Sequence, residues 1–466
     1  MAPAQTSPFR VELGATLRLS APLALANMLQ MAVFAIDVIF VARLGQEALA
    51  AASLSVAMFG LMIWACSGLT GSVAPLIAAE LGRGRHALRE VRRSIRMALW
   101  LAVLCGLAGM VVCNLGEEIM LATGQQPRVA EQAGKFLFIL QFALIPMIGA
   151  NVLRIFVSAL GRPVFATAIT GLAILVNALG NYALVFGNLG APRLGLEGSA
   201  LASVLTALTT FLAYCAAIRA NRRLHRYRIF GRWWRPEWLR LRELVRIGTP
   251  IALTVAAEGG LFSSAAFLMG RLGEAELAGH AVALQIASFA FQVPFGIAQA
   301  ATIRVGFHYG AANAAGMARA GKAALIAGMG FMIVPAALML LVPHLILSIY
   351  VDIHAPANAA MVGFAVQFLA IAAAFQLFDG TQTVAAGVLR GLQDTRVPMI
   401  IAISGYWLVG FVTAIALGFL TPLRGIGVWI GLAVGLVVVA GLLLRRWHRR
   451  EALGLIPVYS ARAGTA

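Results

Sequence analysis

Charged residues are scarce in this chain of 466 residues, and acidic residues are scarcer still. Asp, Glu, Lys and Arg together make up only 12% of the sequence, and just 18 residues are acidic. A soluble globular domain carries about 25% charged residues. No stretch of the chain is long and polar enough to form a separate soluble domain. These shortages exclude an ordinary soluble protein.

Cysteine and histidine are also few. The four cysteines all fall within apolar runs and lack the spacing of metal ligands, so the sequence predicts neither disulfides nor a metal cluster. The seven histidines show no spacing typical of a metal site or a catalytic triad. We therefore expect no cofactor. The N-terminus lacks a short apolar region followed by a small-residue cleavage site, so we expect the first apolar segment to be retained.

Apolar sequence is what the chain has in abundance. It is 61% hydrophobic, with a mean hydropathy of +0.88. A membrane-spanning helix needs about 20 apolar residues, and twelve runs of sufficient length recur from end to end. The predicted spans are 17–43, 48–80, 93–115, 130–160, 163–187, 195–219, 243–272, 276–309, 318–342, 358–389, 397–420 and 425–445. We predict an all-α polytopic membrane protein with about twelve transmembrane helices.

The net charge of +18 first suggests a nucleic-acid partner, but its distribution favours membrane topology. If the N-terminus is cytoplasmic, most of the 36 basic residues fall in the tails and inner loops. The outer side then receives only Arg43, Arg128, Lys135, Arg193, Arg271 and Arg424. By the positive-inside rule, both termini are predicted to be cytoplasmic. The same basic residues would contact anionic lipids at the cytoplasmic face, and we expect no nucleic acid.

A basic segment joins the two halves of the chain. Between residues 219 and 246, arginines alternate with Trp233, Trp234 and Trp238. Such aromatic residues could stack on nucleic-acid bases. An interfacial linker, with tryptophans at headgroup depth and arginines on phosphates, accounts for the same residues and is the interpretation we favour.

The chain repeats itself with an offset of 228 residues. ARLGQEALAA at 42–51 matches GRLGEAELAG at 270–279, and Pro22 matches Pro250. Because six spans are an even number, both halves would enter the membrane in the same direction, as parallel repeats with the substrate site between them. We predict an N-terminal six-helix lobe (1–218), a basic cytoplasmic linker (219–242), a C-terminal six-helix lobe (243–446) and a cytoplasmic tail (447–466). The paired prolines are either hinges or tolerated kinks.

Only three acidic residues, Asp37, Glu258 and Asp379, lie deep within the predicted spans. At about 1.5 Å per helical residue, Glu258 lies roughly 18 Å beyond Arg246, and Asp379 roughly 16 Å before Arg390. The two acids of the second half are therefore predicted at matching depth near the membrane midplane. Intramembrane acids are costly and usually functional.

The first half has its own deep polar set. Asn181 follows Arg162 by the same 19 residues by which Asp37 follows Arg18, and Asn177 lies one helical turn below Asn181. We predict two cation-binding clusters, one formed by Asp37, Asn177 and Asn181 and the other by Glu258 and Asp379. Facing carboxylates can share a proton or surround a small cation such as Na⁺. The alternative is polar groups that merely join helices together.

Further polar residues are candidate cavity or substrate contacts. Gln285, Gln292 and Gln299 are spaced seven apart and form one stripe, which could line a watery cavity or bond to another helix. The remaining candidates of this kind are Gln30, Phe375 and Gln382.

Several of these segments carry a family resemblance. IDVIFVARLG, NALGN, AAEGG and, most specifically, FDGTQTVAAGVLRGLQDT resemble motifs of the multidrug and toxic compound extrusion (MATE) family, and within it the bacterial NorM-like branch. The resemblance covers essentially the whole chain. It implies that Asp37, Asn177 and Asn181 form a first-lobe cation site and that Glu258 and Asp379 form a second-lobe site. Many NorM-like members have a Tyr where this chain has Phe375, so a hydroxyl that could hold Na⁺ is missing there.

The resemblance implies a secondary active transporter of the bacterial cytoplasmic (inner) membrane, expected to be a monomer. It would antiport small amphipathic cationic drugs out of the cell against inward H⁺ or Na⁺, and the paired carboxylates favour H⁺. One alternative is a flippase for a lipid-linked substrate, which would need a cationic cavity, so the location of Arg154 tests it. Another is a membrane-embedded hydrolase or transferase, but the sequence has no nucleophile–base pair. We therefore expect no enzymatic activity.

Overall fold

The computed structural model describes residues 8–84, 86–231 and 236–456; Trp233 and Trp234 of the linker lie outside this part. Within it, twelve helices are long and apolar enough to cross a membrane. They are α1 (Pro8–Ala42), α2 (Gln46–Arg83), α3 (Ala87–Asn114), α4 (Pro127–Ala159), α5 (Val164–Phe186), α6 (Leu196–Ala220), α7 (Trp238–Leu272), α8 (Glu274–Gly310), α9 (Ala314–Leu341), α10 (Pro356–Gly391), α11 (Arg396–Phe419) and α12 (Gly425–His448). The predicted all-α membrane fold with twelve spans is confirmed.

Several helices begin before the predicted apolar run. Helix α1 begins at Pro8 rather than at 17, α3 at Ala87 rather than at 93, and α7 at Trp238 rather than at 243. Hydropathy detects only the segment that crosses the hydrocarbon. The backbone hydrogen bonds of a helix continue beyond it, because the polar residues Arg10, Glu12 and Arg89 can also adopt helical structure.

Three spans are locally irregular. Helix α2 is interrupted between Gly71 and Val73, α4 tightens into a 3₁₀ turn at Gln141–Ala143, and α11 contains a π-helical segment at Ser404–Phe411. Irregular backbone at membrane depth is tolerated where its polar groups find partners inside the protein. The π-helical segment bears on function because π-bulges frequently occur at functional sites.

The described residues form two compact units. The Asp37 unit comprises 25–77, 86–231 and 236–252, and the Glu258 unit comprises 8–24, 78–84 and 253–456. These limits differ from the predicted lobe boundaries, which stay a prediction, because each unit takes part of a helix assigned to the other half. Helix α1 divides after Ala24 and α7 after Ala252, each two residues beyond the repeat-related Pro22 or Pro250. Proline removes one backbone hydrogen bond from a helix and weakens it at that point.

Each unit has its own apolar core. In the Asp37 unit, Phe59, Phe136 and Leu144 pack between α2, α4 and α6. In the Glu258 unit, α10 is the central helix and packs against α8, α9 and α12. Residues 379–389 of α10 are all buried, and the small residues among them allow neighbouring helices to approach closely. Asp379, the first residue of this buried stretch, is therefore surrounded by protein.

The ends of α2 and α8 cross with their backbones in contact at two repeat-related glycines. A Cβ atom added at Gly82 would lie 1.9 Å from the carbonyl oxygen of Phe307, and one added at Gly310 would lie 1.8 Å from that of Ala79. We expect Gly82→Ala and Gly310→Ala each to lower the unfolding temperature of the purified protein, because overpacking typically costs about 1–3 kcal/mol. Gly330→Ala, where nothing lies within 4 Å, is the control. Equal unfolding temperatures for all three variants would disprove the close crossing.

Candidate cation-binding clusters

The first cluster lies in the Asp37 unit and joins three helices. One oxygen of Asp37 in α1 accepts hydrogen bonds from the amide nitrogens of Asn177 (2.9 Å) and Asn181 (2.8 Å) in α5. Its other oxygen accepts one from the hydroxyl of Ser203 in α6, at 3.1 Å. The two asparagines reach the same carboxylate because residues four apart share one face of a helix. The structure thus brings together the three residues that the sequence grouped and adds a fourth.

The side-chain carbonyl oxygens of these asparagines indicate what the cluster could bind. Asn177 and Asn181 are completely buried, and the Oδ1 atom of each accepts no hydrogen bond within the described part of the chain. A buried polar atom without a partner is uncommon and needs an explanation. Together with the Asp37 carboxylate and the Ser203 hydroxyl, these two atoms make a set of oxygen donors suited to a small hard cation.

The second cluster lies in the Glu258 unit and is organised around Gln382. The side-chain nitrogen of Gln382 donates to Glu258 Oε1 (3.1 Å), to Asp379 Oδ1 (3.2 Å) and to the hydroxyl of Thr383 (3.1 Å). An amide nitrogen carries only two hydrogens, so these three acceptors share them. The two carboxylates predicted to lie at equal depth therefore meet at a single amide group. The amide contacts one oxygen of each carboxylate, Glu258 Oε1 and Asp379 Oδ1.

The π-helical segment of α11 completes this cluster. It carries Tyr406, whose hydroxyl donates to Gln382 Oε1 at 2.7 Å, and Trp407, whose indole nitrogen donates to the backbone carbonyl of Ala257 at 3.2 Å. Ala257 immediately precedes Glu258 in α7. Tyr406 thus fixes the orientation of the Gln382 amide, and Trp407 holds the backbone that carries Glu258.

Within the described ranges, the candidate glutamines other than Gln382 form no hydrogen bond to either cluster. Gln285 is exposed, Gln30 and Gln299 are half-buried, and Gln292 bonds to the Ser288 carbonyl of its own helix at 3.1 Å. Among the described residues, no hydrogen bond links the α8 stripe to Glu258 or Asp379.

Phe375 occupies an apolar environment rather than an open one. It is 1% exposed, and its ring packs edge-on against Phe262 and Trp429, with centroid separations of 6.0 and 5.7 Å. At this position the protein surrounds the ring with other rings. A contact between Phe375 and a substrate therefore stays a prediction that would require these rings to separate.

Arg154 of α4 is the deep cation that could have favoured a lipid-pyrophosphate substrate. Its two terminal nitrogens donate to the amide oxygens of Asn27 (3.1 Å) and Asn151 (2.9 Å), both in the Asp37 unit. Its hydrogen-bonding capacity is thus partly used by neutral side chains of its own unit. This arrangement gives no support to the flippase alternative.

Sequence reasoning missed Ser203, Thr383, Tyr406 and Trp407. A signal existed for Tyr406: it lies ten residues, or roughly 15 Å, beyond Arg396, close to the depth estimated for Asp379. Trp407 is its neighbour. For Ser203, nothing in the sequence distinguishes it from the serines that merely bond to their own helix.

Comparison with known proteins identifies the family. The MatE family model matches the chain twice, at residues 22–183 and 250–416. The chain belongs to the MatE family. The two matched segments begin 228 residues apart, at Pro22 and Pro250, so the predicted pair of parallel repeats is confirmed.

Bacterial relatives and solved structures agree with this assignment. The chain is 46% identical to the probable multidrug resistance protein NorM of Mesorhizobium japonicum, over 96% of this chain and 95% of that protein. It is 42% identical to the protein of the same name from Brucella suis, over 95% and 94%. An outward-facing multidrug resistance MATE transporter has the same fold, with a TM-score of 0.85 at 20% identity over 98% and 100% of the chains. A eukaryotic MATE transporter matches with a TM-score of 0.84 at 21% identity, over 96% and 98%.

Proposed function

We propose that this protein is a multidrug efflux antiporter of the bacterial cytoplasmic membrane. It exports small amphipathic organic cations against an inward flux of H⁺ or Na⁺, and it is a transporter rather than an enzyme. The observation that carries the proposal is the presence of two separate intramembrane carboxylate clusters, one in each compact unit. The names of its bacterial relatives support drugs as the exported substrates.

Coupling follows from competition for the carboxylates. A ligand shifts a transporter between inward- and outward-facing states only through its different affinity for the two states. In this proposal, an ion that binds the acids favours one state, and an organic cation that displaces it favours the other. An anionic site also attracts cationic substrates, in accordance with deep charges that are mostly acidic.

The two clusters differ in the ion that they suit. The Asp37 cluster offers one carboxylate, two amide oxygens without partners and a hydroxyl, which together could replace several water ligands of Na⁺ or hold a proton. In the Glu258 cluster, the Gln382 oxygen already accepts from Tyr406, and the Gln382 nitrogen turns its hydrogens toward the carboxylates. Beyond the two carboxylates themselves, few other oxygen ligands remain there. We therefore propose that Glu258 and Asp379 bind protons and that H⁺ is the coupling ion.

The coupling ion can be tested in inside-out vesicles that accumulate ethidium. We expect a pH gradient with an acidic lumen to drive accumulation in Na⁺-free buffer, because lumenal protons reach the acids from the side that is periplasmic in the cell. A Na⁺ gradient imposed in the presence of a protonophore is expected to drive little or none. Accumulation driven fully by Na⁺ alone would refute proton coupling.

Phe375→Tyr provides an internal control for that experiment. If Na⁺ proves to be the coupling ion, the added hydroxyl is expected to strengthen the response to Na⁺. Under proton coupling the variant gains nothing, because a tyrosine hydroxyl adds no carboxylate that could take up the coupling proton.

The proposal also covers the orientation of the transporter in the membrane, its lipid contacts, its oligomeric state and its hinges. Both termini are cytoplasmic, in accordance with the basic residues of the tails and inner loops. Anionic lipids contact that face, and the protein works as a monomer. Pro22 and Pro250 act as hinges. This is supported by the division of α1 and α7 between the two compact units, which falls two residues after the proline in each helix.

A further inference from the structure

A basic cavity lies in the Asp37 unit, and no residue of either carboxylate cluster is among its described lining residues. Its volume is about 520 Å³, and the described residues that line it come from the start of α3 and from positions 228, 231 and 237, between α6 and α7. Ligand sites commonly enclose about 300–1,000 Å³. Within the described part of the chain, the charged residues lining it are Arg89, Arg92, Arg93, Arg96, Arg228 and Glu237.

The backbone around the lining residue Arg228 is held in place by the packing of its neighbours. Tyr227 and Ile229 are buried, and the Tyr227 ring packs edge-on against Phe156 of α4 at 5.6 Å. Between them, Arg228 adopts a left-handed backbone conformation with φ of 45°. That conformation is unfavourable for a residue with a long side chain and is found where surrounding structure enforces it, often at functional sites. The two buried neighbours thereby fix the backbone that carries Arg228 in the cavity wall.

The opposite wall is held by a carboxylate bridge. Arg93 of α3 pairs with Glu237 and, at 2.9 Å, with Glu90, while the Glu237 backbone N–H donates to the sulfur of Met97. Among the described residues, the one acid that lines the cavity, Glu237, is thus paired with Arg93. Within the described part of the chain, Arg89, Arg92 and Arg228 form no ion pair, so the cavity retains an excess of positive charge.

We propose that this cavity binds a phosphate group, and specifically the phosphodiester headgroup of an anionic lipid. Guanidinium groups bind phosphate oxygens through paired hydrogen bonds, which makes arginine the preferred residue for such sites. Basic pockets beside transmembrane helices on the cytoplasmic side are typical sites for anionic headgroups.

The surroundings of the cavity favour a lipid over a soluble phosphate. Trp238 and Leu239 follow the cavity residue Glu237 directly and are 68% and 86% exposed. Apolar side chains next to a phosphate site provide a surface for acyl chains, and tryptophan is typical of the headgroup region. The proposal rests on the cytoplasmic orientation proposed above only for its biological setting, because the cavity itself is formed within one unit.

The test uses the full-length purified protein in detergent and three probes: dioctanoyl phosphatidylglycerol, dioctanoyl phosphatidylcholine and inorganic phosphate. Binding raises the unfolding temperature by mass action, so a titration yields an apparent Kd for each probe. We expect phosphatidylglycerol to bind more tightly than phosphatidylcholine. The triple variant Arg89→Gln, Arg92→Gln, Arg228→Gln is expected to weaken its binding by about tenfold or more, because hydrogen bonds to charged groups are lost.

The matched control removes the same charge from exposed positions that do not line the cavity, as Arg222→Gln, Arg445→Gln and Arg449→Gln. We expect it to bind phosphatidylglycerol as the wild type does. Equal weakening in both triple variants, or equal affinity of the wild type for both lipids, would overturn the site. Displacement of the lipid by millimolar inorganic phosphate would support the phosphate chemistry and overturn the lipid as its source. Because binding is measured without transport, failure of this proposal and failure of the antiport proposal are distinguishable.

Discussion

Glu258→Gln and Asp379→Asn are each expected to abolish drug export while leaving the protein in the membrane. Each change keeps the shape of the side chain but removes the charge that binds the coupling ion, and it places an amide against the amide of Gln382. Hydrogen bonds to charged groups contribute about 1.5–3 kcal/mol, so we expect the affinity for the coupling ion to fall by roughly 10- to 150-fold, enough to remove measurable export. The measurement is ethidium efflux, with drug resistance, in a strain whose only exporter is the variant. Insertion should be normal, because neutralising an intramembrane acid makes it easier to insert.

Two exposed acids of the same unit provide matched controls. Glu274→Gln and Asp352→Asn remove the same charges outside the cluster and are expected to leave efflux unchanged. Full resistance in a strain carrying the Glu258→Gln, Asp379→Asn double variant would remove the coupling role from this cluster.

The sequence was sufficient to predict the helices because hydropathy is a local property. Each of the twelve apolar runs became a helix, and errors were confined to ends such as Pro8, where helical hydrogen bonding extends beyond the apolar segment. Division into compact units is different, because it depends on which helices pack together. No local pattern shows that residues 8–24 pack with α8, where Arg304 forms a bidentate ion pair with Glu12, both bonds being 2.8 Å.

The polar groupings were predictable as far as depth could be counted. Counting residues from flanking arginines grouped Asp37 with the asparagines of α5, and Glu258 with Asp379, and the structure brings both sets together. The side chains that connect these residues could not be predicted by counting positions along the chain. That Gln382 joins the two acids depends on the orientation of one amide, and that Tyr406 reaches it depends on the π-helical segment of α11. A π-helical segment arises from tertiary packing rather than from a residue pattern. The roles of these residues stay predictions.

The second large effect is expected at the other cluster, where Asp37→Asn should reduce export by about tenfold or more, because it removes a charged acceptor of three hydrogen bonds. In the wild type, both asparagine nitrogens donate to one oxygen of Asp37. An amide at position 37 supplies no charge to bind a cation and can turn its own hydrogens toward those donors. Ethidium efflux and drug resistance measure the effect, with the amount of protein in the membrane determined for each variant.

A charge exchange distinguishes ion binding from a purely structural role. The double variant Asp37→Asn, Asn181→Asp keeps one carboxylate and two amides in the cluster but moves the charge from α1 to α5. If the cluster binds a cation, the ion needs the carboxylate near its other oxygen ligands, and efflux should recover severalfold over Asp37→Asn alone. If Asp37 served only to join α1 to α5 by hydrogen bonds, the single variant would lower the unfolding temperature without a specific loss of transport. Normal efflux by a stable Asp37→Asn protein would show that the second cluster suffices for coupling, because the only carboxylate among the cluster's four residues would then be dispensable.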